Sequence, residues 1–151
     1  LIVAQTKKDA FDLILKQACE LGFRKIIVLE TEYSQRIKTN KDRIQKLLIA
    51  GIEQANNPFL PVVEFNSLES FDFDMYENVI FYSSVNGGSP LNNAIGETSA
   101  IIIGPEGGFS DREEQWIRGK KNVTCYKLST YILRTSTAVS TCMGPFFGVT
   151  G

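Results

Sequence analysis

Apolar positions along the chain fall into two rhythms. Residues 8–21 place Phe11, Ile14, Leu15 and Ala18 at helical spacing, and Gly22 closes the run as a natural C-cap. Residues 42–55 return to the same period through Ile44, Leu47, Leu48 and Ile52 and stop near Asn56-Asn57-Pro58. The other rhythm is a set of short, β-branched runs at 25–29, 61–65, 78–82, 100–103 and 123–128. Runs without polar alternation are what strands buried on both faces show, so they predict a parallel sheet. Residues 67–71 fit a single helical turn. Ser110-Asp111-Arg112-Glu113 reads as a capping box that starts a helix reaching Ile117 or Arg118. A last helix is expected from about Ser136 or Thr137. Strands alternate with helices and nothing repeats. The pattern predicts an α/β fold, a mainly parallel sheet flanked by helices. In such sheets ligands bind beyond the carboxyl ends of the strands.

A chain of 151 residues suggests one domain with one core. The apolar fraction of 43% and charged fraction of 22% are those of ordinary globular proteins, so nothing points to disorder. A net charge of −1 provides no global basic field to announce a nucleic acid. Locally, Arg36, Lys38, Lys41, Arg43 and Lys46 face only Asp42 within residues 36–46. That run is either a solvated helix with its approach loop or a phosphate-contacting edge. Cys19, Cys125 and Cys142 have no close spacing, which argues against a disulfide frame or a zinc site and for a reducing cytoplasm. The absence of histidine removes Ser-His-Asp and Cys-His catalysis, histidine ligation of metals and the commonest general base. No apolar run approaches the ~18 residues a membrane span needs. No signal peptide is visible. The chain begins at Leu1, without Met, as a fragment of something longer would.

Two loops carry candidate chemistry. Gly104-Pro105-Glu106-Gly107-Gly108 follows an apolar run and precedes the capping box. It is not G-x-G-x-x-G, and no Lys-Ser/Thr follows it as in a P-loop, so dinucleotide and triphosphate sites are disfavoured. Glycines allow positive φ and close backbone approach. Pro105 fixes its own φ and biases Gly104 toward extended geometry. A plain strand-to-helix turn accounts for the glycines. It does not account for Glu106, a carboxylate pinned in a rigid loop, which suits a ligand hydroxyl, amine or cation. The second loop, residues 128–138 (LSTYILRTSTA), also follows a strand and precedes a helix. Arg134 there is either an anion contact or an ordinary surface arginine.

Together, IIIGPEGGFSDREEQWI and LSTYILRTSTA resemble the uridine-N3 methyltransferase family of small-subunit ribosomal RNA, a branch of the SPOUT class that uses S-adenosylmethionine. QACELGFRKIIVLETEYSQR resembles the family's helix, E-L-G turn and strand, ending in Arg36. DRIQKLLIAGIEQANNPFLPVV resembles its next helix, with Glu53-Gln54 and Pro61 in place. The likeness covers nearly the whole chain. It implies a SPOUT methyltransferase domain over residues 1–151, with a trefoil knot near the C-terminus and a homodimer. It also implies an N-terminal PUA-like RNA-binding domain, so these residues are expected to be the catalytic-domain part of a longer protein.

Carried over by position, the resemblance implies a cofactor pocket with three walls. One is Phe81, Tyr82 and Ser83, after the strand at 78–82. The next runs from Ile103 through Gly104, Pro105, Glu106 and Gly107 to Gly108. The last comprises Leu128, Ser129, Ile132, Leu133 and the helix start at Thr137-Ala138. Backbone groups would hold adenine and ribose, and Ile103, Leu128, Ile132 and Leu133 would sandwich the base. The implied reaction methylates N3 of a uridine in 16S ribosomal RNA without a metal. Arg134 and Arg36 would stabilise the developing uracil anion, with Glu106 as the alternative helper. Two stretches depart from the family's pattern. Ser136 stands where members commonly carry an acid, and Ala55-Asn56-Asn57 stands where they carry a small residue and a nearby Arg. The alternatives are a SPOUT enzyme for another RNA site and a non-catalytic RNA-binding scaffold of the same fold.

Overall fold

The computed structural model describes residues 1–36, 38, 40–82, 98–127 and 130–147, apart from the side chains of 145–147. Its strands are β1 (Ile2–Ala4), β2 (Lys25–Glu30), β3 (Val62–Ser67), β4 (Asn78–Tyr82), β5 (Ser99–Ile103) and β6 (Val123–Tyr126). They form one sheet in the order β3-β2-β1-β5-β4-β6, and every described pairing is parallel. The helices are α1 (Lys8–Glu20), α2 (Lys41–Gln54), α3 (Asp111–Arg118) and α4 (Thr135–Phe147). Single 3-10 turns occupy Leu68–Ser70 and Phe73–Met75.

The apolar strand runs divide between two faces with the period of two that a pleated strand imposes. Val3, Ile26, Val28, Ile80, Ile101 and Ile103 pack against Phe11, Ile14 and Leu15 of α1, Leu48 of α2 and Val139 and Cys142 of α4. Ile2, Ile27, Leu29, Val79, Phe81 and Ile102 face the other way, onto Leu68, Phe71, Phe73 and Ile117 of α3. The molecule is therefore three layers deep, and the uninterrupted hydrophobicity of the central strands follows from burial on both sides.

Helix ends match their local chemistry. Gly22, with φ of 74°, closes α1; Phe23 N–H donates to the Ala18 carbonyl at 3.0 Å, and Gly22 N–H to that of Cys19 at 3.3 Å. The Asn40 side chain caps α2 by accepting from Arg43 N–H at 3.1 Å. Arg43 in turn forms a two-pronged ion pair with Asp12, tying α2 to α1.

The parallel sheet and its flanking helices agree with the pattern of apolar positions. β1 was not among the expected strands. It is only three residues long, yet it pairs with both β2 and β5 and sits at the centre of the sheet. The strand expected at 61–65 runs instead over Val62–Ser67 at the sheet's edge, where Val62 and Phe65 stay exposed. α4 starts at Thr135, slightly ahead of the expected Ser136 or Thr137.

Candidate functional site

The chain runs out of β5 at Ile103 into the glycine turn. The Pro105 carbonyl accepts the Gly108 N–H at 2.9 Å, leaving Glu106 and Gly107 at the corners. Gly108 has a φ of 75°, a backbone state that disfavours a side chain. The capping box then opens α3: the Ser110 hydroxyl accepts Glu113 N–H at 3.4 Å, and Glu113 Oε2 accepts Ser110 N–H at 2.9 Å. From the other candidate loop, the buried Thr135 hydroxyl donates to the Gly104 carbonyl at 3.1 Å. This bond fastens the start of α4 to the glycine turn, so the two loops singled out by sequence are neighbours.

Between them lies a cleft at the carboxyl ends of the strands. Phe81 and Tyr82 line it from β4, and Ile103, Gly104, Pro105, Gly107 and Gly108 from β5 and its turn. Phe109 meets Phe81 edge-on, with centroids 5.6 Å apart. α3 contributes Asp111 and Glu114. Thr130, Tyr131 and Leu133 form the far rim, and Thr135, Ala138 and Cys142 face in from α4. Glu114 is held by Arg118, whose Nε and Nη2 donate to it at 2.9 and 2.7 Å. The Arg118 guanidinium stands 5.4 Å from the Phe81 ring centre.

The cleft combines apolar walls, exposed backbone and an acidic side. Burial pushes the Cys142 thiol up to about 12 and the Tyr82 hydroxyl up to about 12. Both are neutral near pH 7, and Tyr82 donates to the Cys142 carbonyl at 3.4 Å. A neutral thiol and phenol are poor nucleophiles. The arrangement suits binding and orientation better than covalent catalysis.

The implied site residues divide in their placement. Phe81, Tyr82, Ile103, the backbone-rich turn, Leu133 and Ala138 line the cleft. Glu106 is exposed at the turn's corner and does not line it. Ile132, 78% exposed, and Thr137, also exposed, lie outside the lining. Arg134 is exposed between the lining residues Leu133 and Thr135, and its carbonyl accepts the Ala138 N–H at 2.8 Å, as an N-cap does. Arg36 is exposed on the loop after β2 and pairs with Glu30 at 2.9 Å. Ser83, Leu128 and Ser129 lie outside the described residues.

Sequence reasoning missed Phe109, Asp111, Glu114, Thr135 and Cys142. Helical spacing held a signal for most of them. Asp111 and Glu114 are three apart on α3, while Thr135, Ala138 and Cys142 are three and four apart on α4, so each set shares a face. Thr130 and Tyr131 lay within the second loop without a distinguishing mark.

The profile of a family described as the RNA methyltransferase domain matches residues 1–146. The chain is 31% identical over 151 residues to ribosomal RNA small subunit methyltransferase E of Rickettsia conorii, spanning 95% of this chain and 61% of that protein. It is 31% identical over 134 residues to the protein of the same name from Aquifex aeolicus, spanning 85% of this chain and 58% of that one. It thus spans about three fifths of these relatives' length. The fold is similar to that of ribosomal RNA small subunit methyltransferase E from Neisseria gonorrhoeae, solved bound to S-adenosyl methionine. That likeness has a TM-score of 0.83 at 23% identity and covers 98% of this chain and 65% of that chain. Since the family profile takes in all four helices up to residue 146, the chain belongs to the RNA methyltransferase domain family.

Proposed function

We propose that this chain is the catalytic domain of an S-adenosylmethionine-dependent enzyme that methylates N3 of a uridine in the 16S ribosomal RNA of the small subunit. The observation that carries the proposal is the cleft between the glycine turn and α4, where two loops at strand ends are joined by the Thr135–Gly104 bond. The names of the relatives support the substrate. The residues present fit the cofactor. Phe81, Ile103, Leu133 and Ala138 offer an apolar slot for a base, and the open backbone of the turn offers amides and carbonyls to polar edges. Asp111 brings negative charge to the rim, which suits a cationic ligand, while the charge of Glu114 is matched by Arg118.

When bound, S-adenosylmethionine supplies an activated sulfonium methyl. The chain's task is then to align a uracil with it and to ease the loss of the N3 proton. Arg134, at the start of α4 beside the cleft, is the residue to stabilise the negative charge that develops on the base. Arg36 is its partner from the loop after β2, on the basic edge that tracks phosphates. Glu106, exposed at the turn, has the weaker claim to that task. The uridine must be unpaired or extruded to reach the cleft.

The same reading takes the protein as a cytoplasmic homodimer with a trefoil knot near its C-terminus. Tyr131 at the rim and Ile132 next to it, 93% and 78% exposed, are large apolar side chains that a second copy would cover. Among the described residues, no helix is long and apolar enough to cross a membrane.

Calorimetric titration with S-adenosylmethionine, followed by methylation of small subunits from a strain lacking the activity, tests the proposal. Binding together with a new 3-methyluridine in 16S RNA is the expected result. No binding at millimolar cofactor would leave a scaffold, and binding without that product would point to another RNA site.

A further inference from the structure

We infer that Glu113 is a positioning residue that locks the loop after β2, and with it Arg36, onto the glycine turn bordering the cleft. The purpose of the lock rests on the function proposed above. The lock itself rests on geometry. Each oxygen of the Glu113 carboxylate takes a backbone N–H from a different part of the chain. Oε2 accepts from Ser110 at 2.9 Å, completing the capping box. Oε1 accepts from Glu32 at 2.8 Å, across 81 positions of sequence. Capping requires only the first bond. The second is a separate, charge-assisted tie between α3 and the loop after β2.

A second contact runs beside it. A Cβ built on Gly107 would lie 3.3 Å from the Tyr33 Cβ, so the glycine turn and this loop lie close enough that a side chain at 107 would crowd Tyr33. The loop is also braced from within and from behind. The Ser34 hydroxyl accepts Thr31 N–H at 3.0 Å and donates to the Thr31 carbonyl at 2.9 Å. Gln35 N–H donates to the carbonyl of Gln5, just beyond β1, at 3.0 Å. Residues 31–35 are therefore fixed to their own turn, to the end of β1 and to the N-terminus of α3. Arg36 follows directly and is steered by Glu30. Because a misplacement of about 1 Å costs on the order of 100-fold in an aligned transfer, a rigid link between the two halves of the site has a clear use.

The test compares wild type with Glu113→Ala, Glu113→Gln and Ser110→Ala. The last variant removes the hydroxyl half of the capping box and spares the Glu32 bond; the Gln variant keeps the shape if the Ala variant folds poorly. Amide exchange across 31–36 is read in the absence of ligand, S-adenosylhomocysteine affinity by calorimetry, and KM for small subunits by methyl incorporation. Loss of the bond in Glu113→Ala is expected to speed exchange at Glu32 about tenfold or more. The same variant is expected to raise the RNA KM about tenfold, with Glu113→Gln in between and Ser110→Ala within about twofold of wild type on both counts. S-adenosylhomocysteine affinity should move alike in Ser110→Ala and Glu113→Ala. Equal exchange across 31–36, or equal RNA KM, in these two variants overturns the inference. A wild-type chain that methylates no RNA overturns the proposed function instead, and the exchange comparison then decides whether the lock exists.

Discussion

Gly104 and Gly108 stand four residues apart in one turn and are needed for different reasons, which alanine substitution separates. A Cβ on Gly104 would lie 3.1 Å from both Cδ2 and Cε2 of Phe109. The Phe109 ring already abuts Phe81, and both rings line the cleft. Gly104→Ala must push that ring aside, an overpacking cost of about 1–3 kcal/mol. At Gly108 a Cβ meets nothing within 4 Å, but φ is 75°. Gly108→Ala thus costs only backbone strain, about 1–2 kcal/mol for a left-handed L-residue. Urea unfolding alone will not tell these losses apart, because they overlap. Second substitutions will. Phe109→Leu shrinks the ring and should recover part of the Gly104→Ala loss, with a coupling energy of about 0.5–3 kcal/mol in a double-mutant cycle. The same change should leave Gly108→Ala within about 0.5 kcal/mol of additivity. Gly108→Asn should recover part of the other loss, since Asn tolerates the left-handed region. Calorimetric titration adds a functional arm: Gly104→Ala displaces a wall of the cleft, so S-adenosylmethionine affinity falls and is partly restored by Phe109→Leu. Additivity between positions 104 and 109, or equal rescue of both glycine variants by Phe109→Leu, would refute the assignment.

Ile102, fully buried in the central strand β5, should cost about 2–5 kcal/mol in urea when replaced by alanine. Arg134→Ala should lower kcat on the order of 100- to 1,000-fold while leaving S-adenosylmethionine affinity near wild type; wild-type methyl transfer at saturating cofactor would remove Arg134 from the chemistry. Alkaline stability has a defined sign. Burial raises the Cys142 thiol from 9.0 to about 12 and the Tyr82 hydroxyl from 10.0 to about 12, so the folded chain keeps protons that the unfolded chain sheds. Stability should therefore fall as pH climbs from 9 toward 12. The combination of Cys142→Ala with Tyr82→Phe should flatten that fall in urea titrations at stepped pH, and an unchanged slope would contradict the burial of these groups.

How much was legible in the sequence depends on how far each residue's partners lie along the chain. Ile26 to Leu29, Val79 to Phe81 and Ile101 to Ile103 announce strands buried on two faces because every position in them is apolar. α1 and α3 announce themselves through Gly22 and the Ser110–Glu113 box, whose bonds close within a few residues. β1 has no such local support. Ile2 and Val3 become central only by pairing with Ile27, Val28, Ile102 and Ile103, which lie far along the chain. Residues 73–75 escaped for a similar reason, since their turn is propped by Asn122, whose side chain donates to the Phe73 and Tyr76 carbonyls at 2.7 and 2.8 Å.

Two glutamates, one in the glycine turn and one in the helix start behind it, make the same point at the site. Glu106 drew attention because a carboxylate between proline and glycine looks out of place. In the structure a corner position turns it outward, where solvent satisfies it at no cost to the turn. Glu113 looked ordinary, a cap acid with a sufficient local reason to exist. Its second oxygen faces a backbone N–H that folding delivers from the loop after β2. A carboxylate has two acceptor oxygens, and a sequence motif accounts for only one of them here. The other is assigned by the sheet order, which sets β2 and β5 on either side of β1 and so brings the loops that leave their carboxyl ends together. What recruits Glu113 is therefore the placement of β1 at the centre of the sheet, the one strand the hydrophobic pattern did not announce.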